Sequence, residues 1–287
     1  MVSPQTLLGE VSLQQFVADH FQRLPYSRSG MASSLLGLAG WEQLVALLAQ
    51  PAADVNVCRS NQQYQESPPH TADAAARLVS EGYTLLVRHA ERLEPRLQEL
   101  AAAFERDFAA PVNIHVYCTP GGEHGFGWHY DAEEVFIVQT AGRKEYELRK
   151  NTVNPWPVEE TLPADMRYER EIMPLLRCEL AAGDWLYIPS GYWHRAIAKE
   201  MAISLAIGVM PRTGVDFYAF LRKKALDSLL WRQRLPVMGA ASALESEELR
   251  RCLGTILVDL KRDLERQLAD PQLAEQFARF LTERPRS

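Results

Sequence analysis

Three residues of the chain have the types and spacing of a metal-ligand set. His129 and Asp131 are separated by one residue, and His194 follows 65 residues after His129. Because alternate side chains of an extended strand share a face, His129 and Asp131 are expected to point the same way. Two histidines and one carboxylate are the ligands of non-heme Fe(II) oxygenases, which leave positions open for a cosubstrate and O2. The pattern predicts a metal site.

A turn motif precedes the second histidine. Gly183, Pro189, Gly191 and His194 form the run Gly-x5-Pro-x-Gly-x2-His, which resembles the second motif of the cupin superfamily. A Pro-x-Gly turn ends one strand, so His194 is expected at the start of the next strand. The alternative is an ordinary hairpin with a histidine on the surface.

A lysine on the next predicted hairpin indicates an anion-binding site. Residues 135–140 and 143–149 read as strands joined by a turn at 141–142, and Lys144 shares its face with Tyr146 and Leu148. An unpaired ammonium on that inward, apolar face is costly, and the distal carboxylate of 2-oxoglutarate would neutralise it. The alternative is a lysine that reaches the rim or pairs with a protein acid. The other face is predicted to meet solvent and carries Arg143, Glu145, Glu147 and Arg149.

Two further strands are predicted to line a polar cavity. Residues 112–118 alternate between an apolar face and a face with Asn113, His115 and Tyr117. In residues 201–209 one face carries only small residues, which leaves volume for a ligand, and Ser204 on that face is expected to contact the cosubstrate. The alternatives are a half-solvated sheet face and packing against a bulky neighbour.

The remaining chain reads mainly as helices around these strands. Strands are also predicted at 54–58 and 83–87, and the composition gives a net charge of −6, which argues against a nucleic-acid groove. No run of eighteen apolar residues, no signal pattern and no Cys-x2-Cys pair occur in the sequence, so a cytoplasmic protein without a membrane span is expected. The predicted helices are 13–21, 34–49, 71–80, 94–108, 217–230, 244–268 and 273–281.

The central motifs resemble those of the JmjC-type cupin oxygenases, and most closely the ribosomal oxygenase branch. The matching segments are Tyr117-Cys118-Thr119-Pro120, Gly125-Phe126-Gly127-x-His129-Tyr130-Asp131 and Val135-Phe136-Ile137-Val138-Gln139-x-x-Gly142-Arg143-Lys144. The resemblance implies an α+β fold with a double-stranded β-helix (jelly-roll, cupin) core, helical N-terminal elements and a C-terminal helical region. We expect the oxygenase domain with its lead-in at 1–211 and the helical region at 212–287.

The same resemblance implies an activity and its cofactors. The protein is expected to be an Fe(II)- and 2-oxoglutarate-dependent dioxygenase that uses O2, hydroxylates a protein or peptide, such as a ribosomal protein, and releases succinate and CO2. Iron would be held by His129, Asp131 and His194. Lys144 would bind the distal carboxylate of 2-oxoglutarate, with Tyr117 as a second contact. The C-terminal helices would form a homodimer.

Several alternatives stay open at this point. Only 77 residues follow Met210, too few for both a dimerisation region and the winged-helix domain of that branch, so a small-molecule hydroxylase is an option. N-demethylation is the same chemistry on an N-methyl group. A different cupin enzyme would use Glu133 or Glu134 as a fourth ligand, and a non-catalytic metal-binding cupin would lack turnover. Trp128 and Trp193, next to the ligands, are expected in the core, and the alternative is that they line a substrate cleft.

Overall fold

The structure, a computed structural model, describes residues 3–163, 166–168, 173–236 and 247–283. The chain forms two compact units, Met1–Pro211 and Arg212–Ser287. The first unit contains a helical lead-in and two antiparallel sheets, and the described part of the second unit is helical.

The lead-in, residues 3–110, contains helices and short strands, and capping residues set where several of its helices begin. Ser12 accepts a hydrogen bond from the N–H of Gln15 at 3.1 Å and so caps the helix that begins at Leu13. The single helix predicted over 34–49 is wrong, because Ser33–Leu38 is a 3-10 helix and a new α-helix starts after Gly40, which is extended. The helices of the first unit are α1 (Pro4–Leu8), α2 (Leu13–Asp19), α3 (Trp41–Leu48), α4 (Ala72–Ser80) and α5 (Pro95–Phe108).

Eleven strands occur in the part of the chain that the structure describes, and they form two sheets. The strands are β1 (Tyr26–Arg28), β2 (Asp54–Arg59), β3 (Gln62–Gln63), β4 (Thr84–Arg88), β5 (Val112–Thr119), β6 (Glu134–Ala141), β7 (Lys144–Arg149), β8 (Leu176–Leu180), β9 (Trp185–Ile188), β10 (Trp193–Ala198) and β11 (Ala202–Val209). The larger sheet has the order β1-β9-β6-β11-β5-β4-β2-β3, and the smaller has the order β10-β7-β8. This is the predicted α+β double-stranded β-helix.

The central strand β11 separates the hydrophobic core from a cavity between the sheets. It pairs with β5 on one side and β6 on the other. Ile203, Leu205 and Ile207 are buried in the core against the lead-in helices, whereas Ser204 and Ala206 line the cavity. The predicted alternation of faces is confirmed, because a strand places successive side chains on opposite sides.

The hairpin predicted between β6 and β7 is wrong. Both edges of β6 are already hydrogen-bonded, by β9 and by β11, so β7 cannot pair with it. Instead the chain crosses to the smaller sheet at Gly142, whose φ is +65° and where a Cβ would collide with the carbonyl oxygen of Met201. Glycine is therefore the residue that fits this crossing.

The outer face of β7 was predicted to meet solvent, but part of it is buried. Glu147 is only 4% exposed, since its cross-strand neighbours are Arg195 on β10 and Arg177 on β8. Both guanidinium groups pair with its carboxylate, at 2.6 Å and 3.0 Å respectively. Burial alone would raise the pKa of Glu147, but these two hydrogen-bonded charges outweigh it and hold the pKa below its usual value.

The second unit contains three helices in its described part: α6 (Val215–Asp227), α7 (Glu247–Leu268) and α8 (Leu273–Glu283). The prediction of helices here is confirmed, except that residues 244–246 lie outside the described residues. Aromatic rings on α6 and α8 pack together, as shown by the 5.2 Å distance between the centroids of Phe217 and Phe277.

Candidate metal centre

The structure brings the three predicted ligand residues together at one end of the smaller sheet. The ligand atoms of His129, Asp131 and His194 all lie within 4.8 Å of one another. His194 Nε2 is 3.4 Å from Asp131 Oδ2, and the two imidazole centroids are 4.2 Å apart. Among the described residues, no other group of three or more histidine, cysteine, aspartate or glutamate side chains converges in this way.

The ligand pair His129 and Asp131 lies in a loop, which corrects the predicted strand. The loop pairs with β10 at a single bridge, where the N–H of His129 donates to the carbonyl of His194 at 3.1 Å and the reverse bond is 2.8 Å. The two bonds fix the backbones of the two histidines against each other. The loop is close to the lead-in, because a Cβ at Gly125 would meet Thr84 Oγ1 at 2.6 Å.

Backbone carbonyl groups hold both imidazoles in the orientation that a metal requires. His129 Nδ1 lies 2.8 Å from the carbonyl oxygen of Gly127, and His194 Nδ1 lies 3.0 Å from that of Tyr192. Each Nδ1 therefore carries the proton, and each Nε2 keeps its lone pair for a metal. Burial and the neighbouring His129 lower the pKa of His194 to about 4, so this imidazole is neutral.

The predicted turn before His194 is present and also fixes Asp131. Gly191 has a φ of +78°, and its N–H donates to the carbonyl of Asp131 at 2.9 Å. His194 follows as the second residue of β10, as predicted. The turn thus connects the carboxylate ligand to the second histidine through one hydrogen bond.

A hairpin of the lead-in supports the loop from the other side. Asn61, at the tip between β2 and β3, accepts a hydrogen bond from the N–H of Gly127 through its side chain, and its own N–H donates to the carbonyl of Gly125 at 3.3 Å. The thiol of Cys58 donates to the same carbonyl at 3.3 Å. Sequence reasoning missed Asn61, since nothing local marks a contact across 66 residues.

The ligands open into a cavity of about 240 Å³ between the two sheets. Residues from both sheets line it, so the predicted cavity-facing positions of β5 and β11 are confirmed for His115, Tyr117 and Ser204. Apolar side chains form most of the remaining wall and include Leu86, Phe126, Val135, Ile137, Ala196 and Ala206.

Lys144 is the buried cation of this cavity. Its side chain is 4% exposed, and burial lowers its pKa to about 8. Its Nζ lies 3.3 Å from Ser204 Oγ and 5.7 Å from the ring centroid of Tyr117. Within the described residues no carboxylate forms an ion pair with it, so neither alternative, a snorkelling lysine or a protein ion pair, is present. Burial also raises the pKa of Tyr117 above its usual range, so its hydroxyl stays a donor.

The donor set and the cavity fit iron with a dicarboxylate. Two neutral imidazoles and one carboxylate on one side of a cavity leave further coordination positions open. A buried ammonium beside two hydroxyl groups requires an anion. Neither alternative fourth ligand joins the cluster: Glu134 accepts hydrogen bonds from Tyr187 and Ser190, and Glu133 accepts one from Asn113. Burial raises the pKa of both carboxyls to about 7.

The tryptophans next to the ligands differ in burial. Trp193 is buried, as predicted, and packs edge-on against Tyr130 with centroids 4.7 Å apart. Trp128 is only half-buried, which corrects its assignment to the core. It stacks on Tyr168 at 4.5 Å, and the guanidinium of Arg195 lies 5.1 Å from its ring centroid.

Comparison with known families and proteins agrees with this geometry. Residues 86–217 match the family model of the JmjC domain. Ribosomal oxygenase 1 of Gallus gallus is 26% identical over 290 residues, which cover 92% of this chain and 47% of that protein. The bifunctional lysine-specific demethylase and histidyl-hydroxylase NO66 of Dictyostelium discoideum is 32% identical over 168 residues, covering 54% and 32% respectively. The chain spans half or less of the length of these curated relatives.

Solved structures resemble the chain at low identity. The crystal structure of Escherichia coli ribosomal oxygenase YcfD has a TM-score of 0.60 at 17% identity and covers 96% of this chain and 72% of that one. YcfD in complex with cobalt and 2-oxoglutarate has a TM-score of 0.58 at 19% identity, with the same coverage. These similarities show the fold. Among the described helices none is both long and apolar enough to cross a membrane.

Proposed function

We propose that this chain, a JmjC-domain protein related to the ribosomal oxygenases, is an Fe(II)- and 2-oxoglutarate-dependent oxygenase that hydroxylates a protein or peptide side chain. One observation carries the proposal: a cluster of two histidines and one aspartate opens into the same cavity as a buried lysine that has no carboxylate partner among the described residues. A metal site and a dicarboxylate site in one cavity are what this reaction class requires.

Each residue of the cavity has a defined task in this proposal. His129, Asp131 and His194 would hold Fe(II), with both Nε2 atoms presented by the Nδ1 hydrogen bonds to backbone carbonyls. Lys144 would donate to the distal carboxylate of 2-oxoglutarate. Iron and 2-oxoglutarate together supply the oxidative decarboxylation that yields succinate and CO2 and places one atom of O2 in a C–H bond. The apolar walls exclude water, which strengthens the charge interactions inside.

Two hydroxyl groups support Lys144 in holding the carboxylate. Ser204 Oγ is 3.3 Å from Lys144 Nζ, and Tyr117 lies directly across from Ser204 in the register of β5 and β11. Both hydroxyls stay protonated and can donate, so the carboxylate would receive up to three hydrogen bonds. Hydrogen bonds to charged groups are the stronger kind, at about 1.5–3 kcal/mol each.

A protein substrate is favoured over a small molecule by the relatives. The names of the two curated relatives describe a ribosomal oxygenase and a histidyl-hydroxylase with lysine-specific demethylase activity. N-demethylation stays a second candidate for the same site, and mass spectrometry separates the two outcomes: hydroxylation adds the mass of one oxygen atom, whereas demethylation removes that of one methylene group.

Conversion of 2-oxoglutarate to succinate with Fe(II), ascorbate and air tests the proposal. We expect turnover in the wild type, none in His129→Ala, and a raised Michaelis constant for 2-oxoglutarate in Lys144→Met. Lys199→Met is the matched control, because Lys199 is 43% exposed and pairs with Glu145 on the surface. Absence of turnover together with absence of 2-oxoglutarate binding in the presence of Mn(II) would leave a non-catalytic metal-binding cupin and refute the oxygenase.

The second unit is proposed to mediate homodimer formation. Its helix α7 has no buried residue and exposes Leu257, Val258 and Leu268 by 62%, 47% and 48%. Apolar side chains on one long helix suit association with a second copy. Light scattering at micromolar concentration tests this, and a monomer would contradict it. The cytoplasmic location stays a prediction.

A further inference from the structure

The turn between β9 and β10, residues 189–192, contacts two of the three metal ligands. The N–H of Gly191 donates to the carbonyl of Asp131 at 2.9 Å, and the carbonyl oxygen of Tyr192 lies 3.0 Å from His194 Nδ1. The side chain of Asp131 is 38% exposed, so its neighbours enclose it only in part and the bond to its backbone contributes to its direction. The position of this turn therefore affects where the carboxylate and the second imidazole point.

Ser190 connects the turn to a buried carboxyl group. Its hydroxyl donates to the carbonyl of Ala132 at 3.0 Å and to that of Asp131 at 3.4 Å, and its N–H donates to Glu134 Oε2 at 3.2 Å. Glu134 is 2% exposed and is the first residue of β6, three residues after Asp131. One oxygen atom of Glu134 thus holds the turn against the strand that follows the carboxylate ligand.

The phenol group of Tyr187 binds the same oxygen atom from the other side. Tyr187 is fully buried, and its hydroxyl accepts a hydrogen bond from the N–H of Gln22 at 2.7 Å. Because that N–H can only donate, the hydroxyl keeps its own proton for Glu134 Oε2. The rings of Phe16 and Phe136 pack against that of Tyr187, with centroids 5.2 Å and 5.0 Å away, and hold it in place.

The lead-in supplies two anchors for the turn, just after α2. Besides the bond from Gln22 to Tyr187, the hydroxyl of Tyr192 donates to the carbonyl of Arg23 at 3.0 Å. Gln22 has a φ of +62°, a left-handed conformation that is unfavourable for a residue with a side chain and persists only where its surroundings hold it. The two tyrosines therefore connect the turn beside the metal ligands to a fixed point of the lead-in.

Glu134 itself lies outside the cavity and outside the ligand cluster. Within the part of the chain that the structure describes, no lysine or arginine pairs with it. A buried carboxyl group without a cation is costly, and an apolar side chain of similar volume would cost less. The two hydrogen bonds to Oε2 are what an apolar side chain would not provide.

We propose that Glu134 is a positioning residue of the metal centre, which holds the turn at Ser190 so that Asp131 and His194 present their ligand atoms to one metal ion. The inference rests on the proposed function and extends it from the ligands to the group that aligns them. The role requires an oxygen atom that accepts two hydrogen bonds, and a carboxyl group provides one in either protonation state. Loss of that oxygen should release the turn although all three ligands remain.

Titration of the metal-free full chain with Co(II), against a chelator of known affinity, tests the proposal. Glu134→Leu removes the accepting oxygen and should raise the dissociation constant for Co(II) about 10–100-fold, the range that follows loss of a residue that supports a metal ligand. Glu134→Gln keeps an accepting oxygen at the same reach and should raise this constant less than about threefold. The visible absorption spectrum of bound Co(II) depends on ligand geometry, so it should change in the leucine variant and be restored in the glutamine variant.

Glu91→Leu is the matched control for a loss of stability alone. The side chain of Glu91 is 12% exposed and accepts the N–H of Ile114 at 2.8 Å, and its partners lie outside the turn. This variant should lower the free energy of unfolding in urea and leave the Co(II) affinity and spectrum unchanged. Tyr187→Phe keeps the ring, removes one of the two donors to Glu134 and should raise the dissociation constant for Co(II) at least about threefold.

The outcomes separate this proposal from the proposed function. Wild-type affinity and spectrum in Glu134→Leu would overturn the positioning role, and Tyr187→Phe decides in the same way if the leucine variant does not fold. A glutamine variant as weak as the leucine variant would overturn the assignment to the accepting oxygen. If the wild type binds Co(II) and the variants match it, only the positioning role fails. If the wild type binds no Co(II), the metal centre fails and the positioning role fails with it.

Discussion

Replacement of Lys144 by methionine should make the protein more stable and its cosubstrate binding weaker. Lys144 is 4% exposed, and burial lowers its pKa from 10.5 to about 8. One pKa unit corresponds to about 1.4 kcal/mol, so the buried charge costs about 3 kcal/mol of folding free energy at neutral pH. Methionine has a similar shape without the charge, and Lys144→Met should recover most of that cost in the protein without 2-oxoglutarate.

The pH dependence of this gain has a defined sign. Between pH 8 and 10.5 the unfolded chain binds more protons at Lys144 than the folded one, so the wild type gains stability from this group as pH rises through that window. The advantage of the methionine variant is therefore fully present below pH 8 and disappears towards pH 10.5. Urea unfolding of metal-free wild type and variant at both ends of the window measures it.

Binding of 2-oxoglutarate should change in the opposite direction. Loss of a charged hydrogen bond costs about 1.5–3 kcal/mol, which raises the dissociation constant about tenfold to 150-fold. Calorimetry with Mn(II) in place of iron measures this dissociation constant. Lys199→Met is the exposed control, for which the changes in unfolding free energy and in 2-oxoglutarate affinity should both be near zero. A variant that is less stable than the wild type at pH 7, or that binds 2-oxoglutarate unchanged, would refute the assignment of Lys144.

Three other substitutions test the parts that position the site. Glu147→Gln should lower the free energy of unfolding by about 2 kcal/mol, because Arg177 and Arg195 lose the buried carboxylate that they share. This difference from the wild type should shrink as the pH falls through the lowered pKa of Glu147, since the wild-type carboxylate is then protonated. Gly142→Ala should cost more than about 1 kcal/mol in thermal unfolding, since φ is +65° and the Cβ meets Met201. Asp131→Asn should reduce the Fe(II) retained after dialysis by more than the roughly 10–100-fold that follows loss of a residue that only supports a metal ligand. A native circular dichroism spectrum is the control for folding. A metal content equal to wild type would exclude Asp131 as a ligand.

The sequence predicted the chemistry of the site better than its scaffold. Residue type and spacing alone selected His129, Asp131 and His194. Few combinations of side chains bind a metal, and His129 and Asp131 are separated by only one residue. Period-two alternation placed Ser204 on the correct face of β11, since strand geometry leaves only two choices. The prediction of a strand around His129 was wrong, because a glycine-rich segment can have an extended backbone in a loop as well as in a strand.

Long-range pairing was not accessible from the sequence. The turn at Gly142 reads locally as a hairpin, and only the presence of β9 and β11 on both edges of β6 excludes that pairing. Glu147 was assigned to solvent because Arg177 and Arg195, which cover it, are 30 and 48 residues away. Asn61 was missed as a part of the site for the same reason, since its partners Gly125 and Gly127 lie in a distant loop.

The hairpin at Asn61 connects occupancy of the metal centre to motion in the lead-in. Its hydrogen bonds end on Gly125 and Gly127, and the carbonyl of Gly127 orients His129. A hairpin that opens must release this loop, so an ion that binds only the closed form protects the amides of β2 and β3 from hydrogen exchange. At a metal concentration about 100 times the dissociation constant, opening becomes harder by about 2.7 kcal/mol, roughly a hundredfold in the exchange rate. The lead-in is thus a reporter of metal loading, although none of its residues is a ligand.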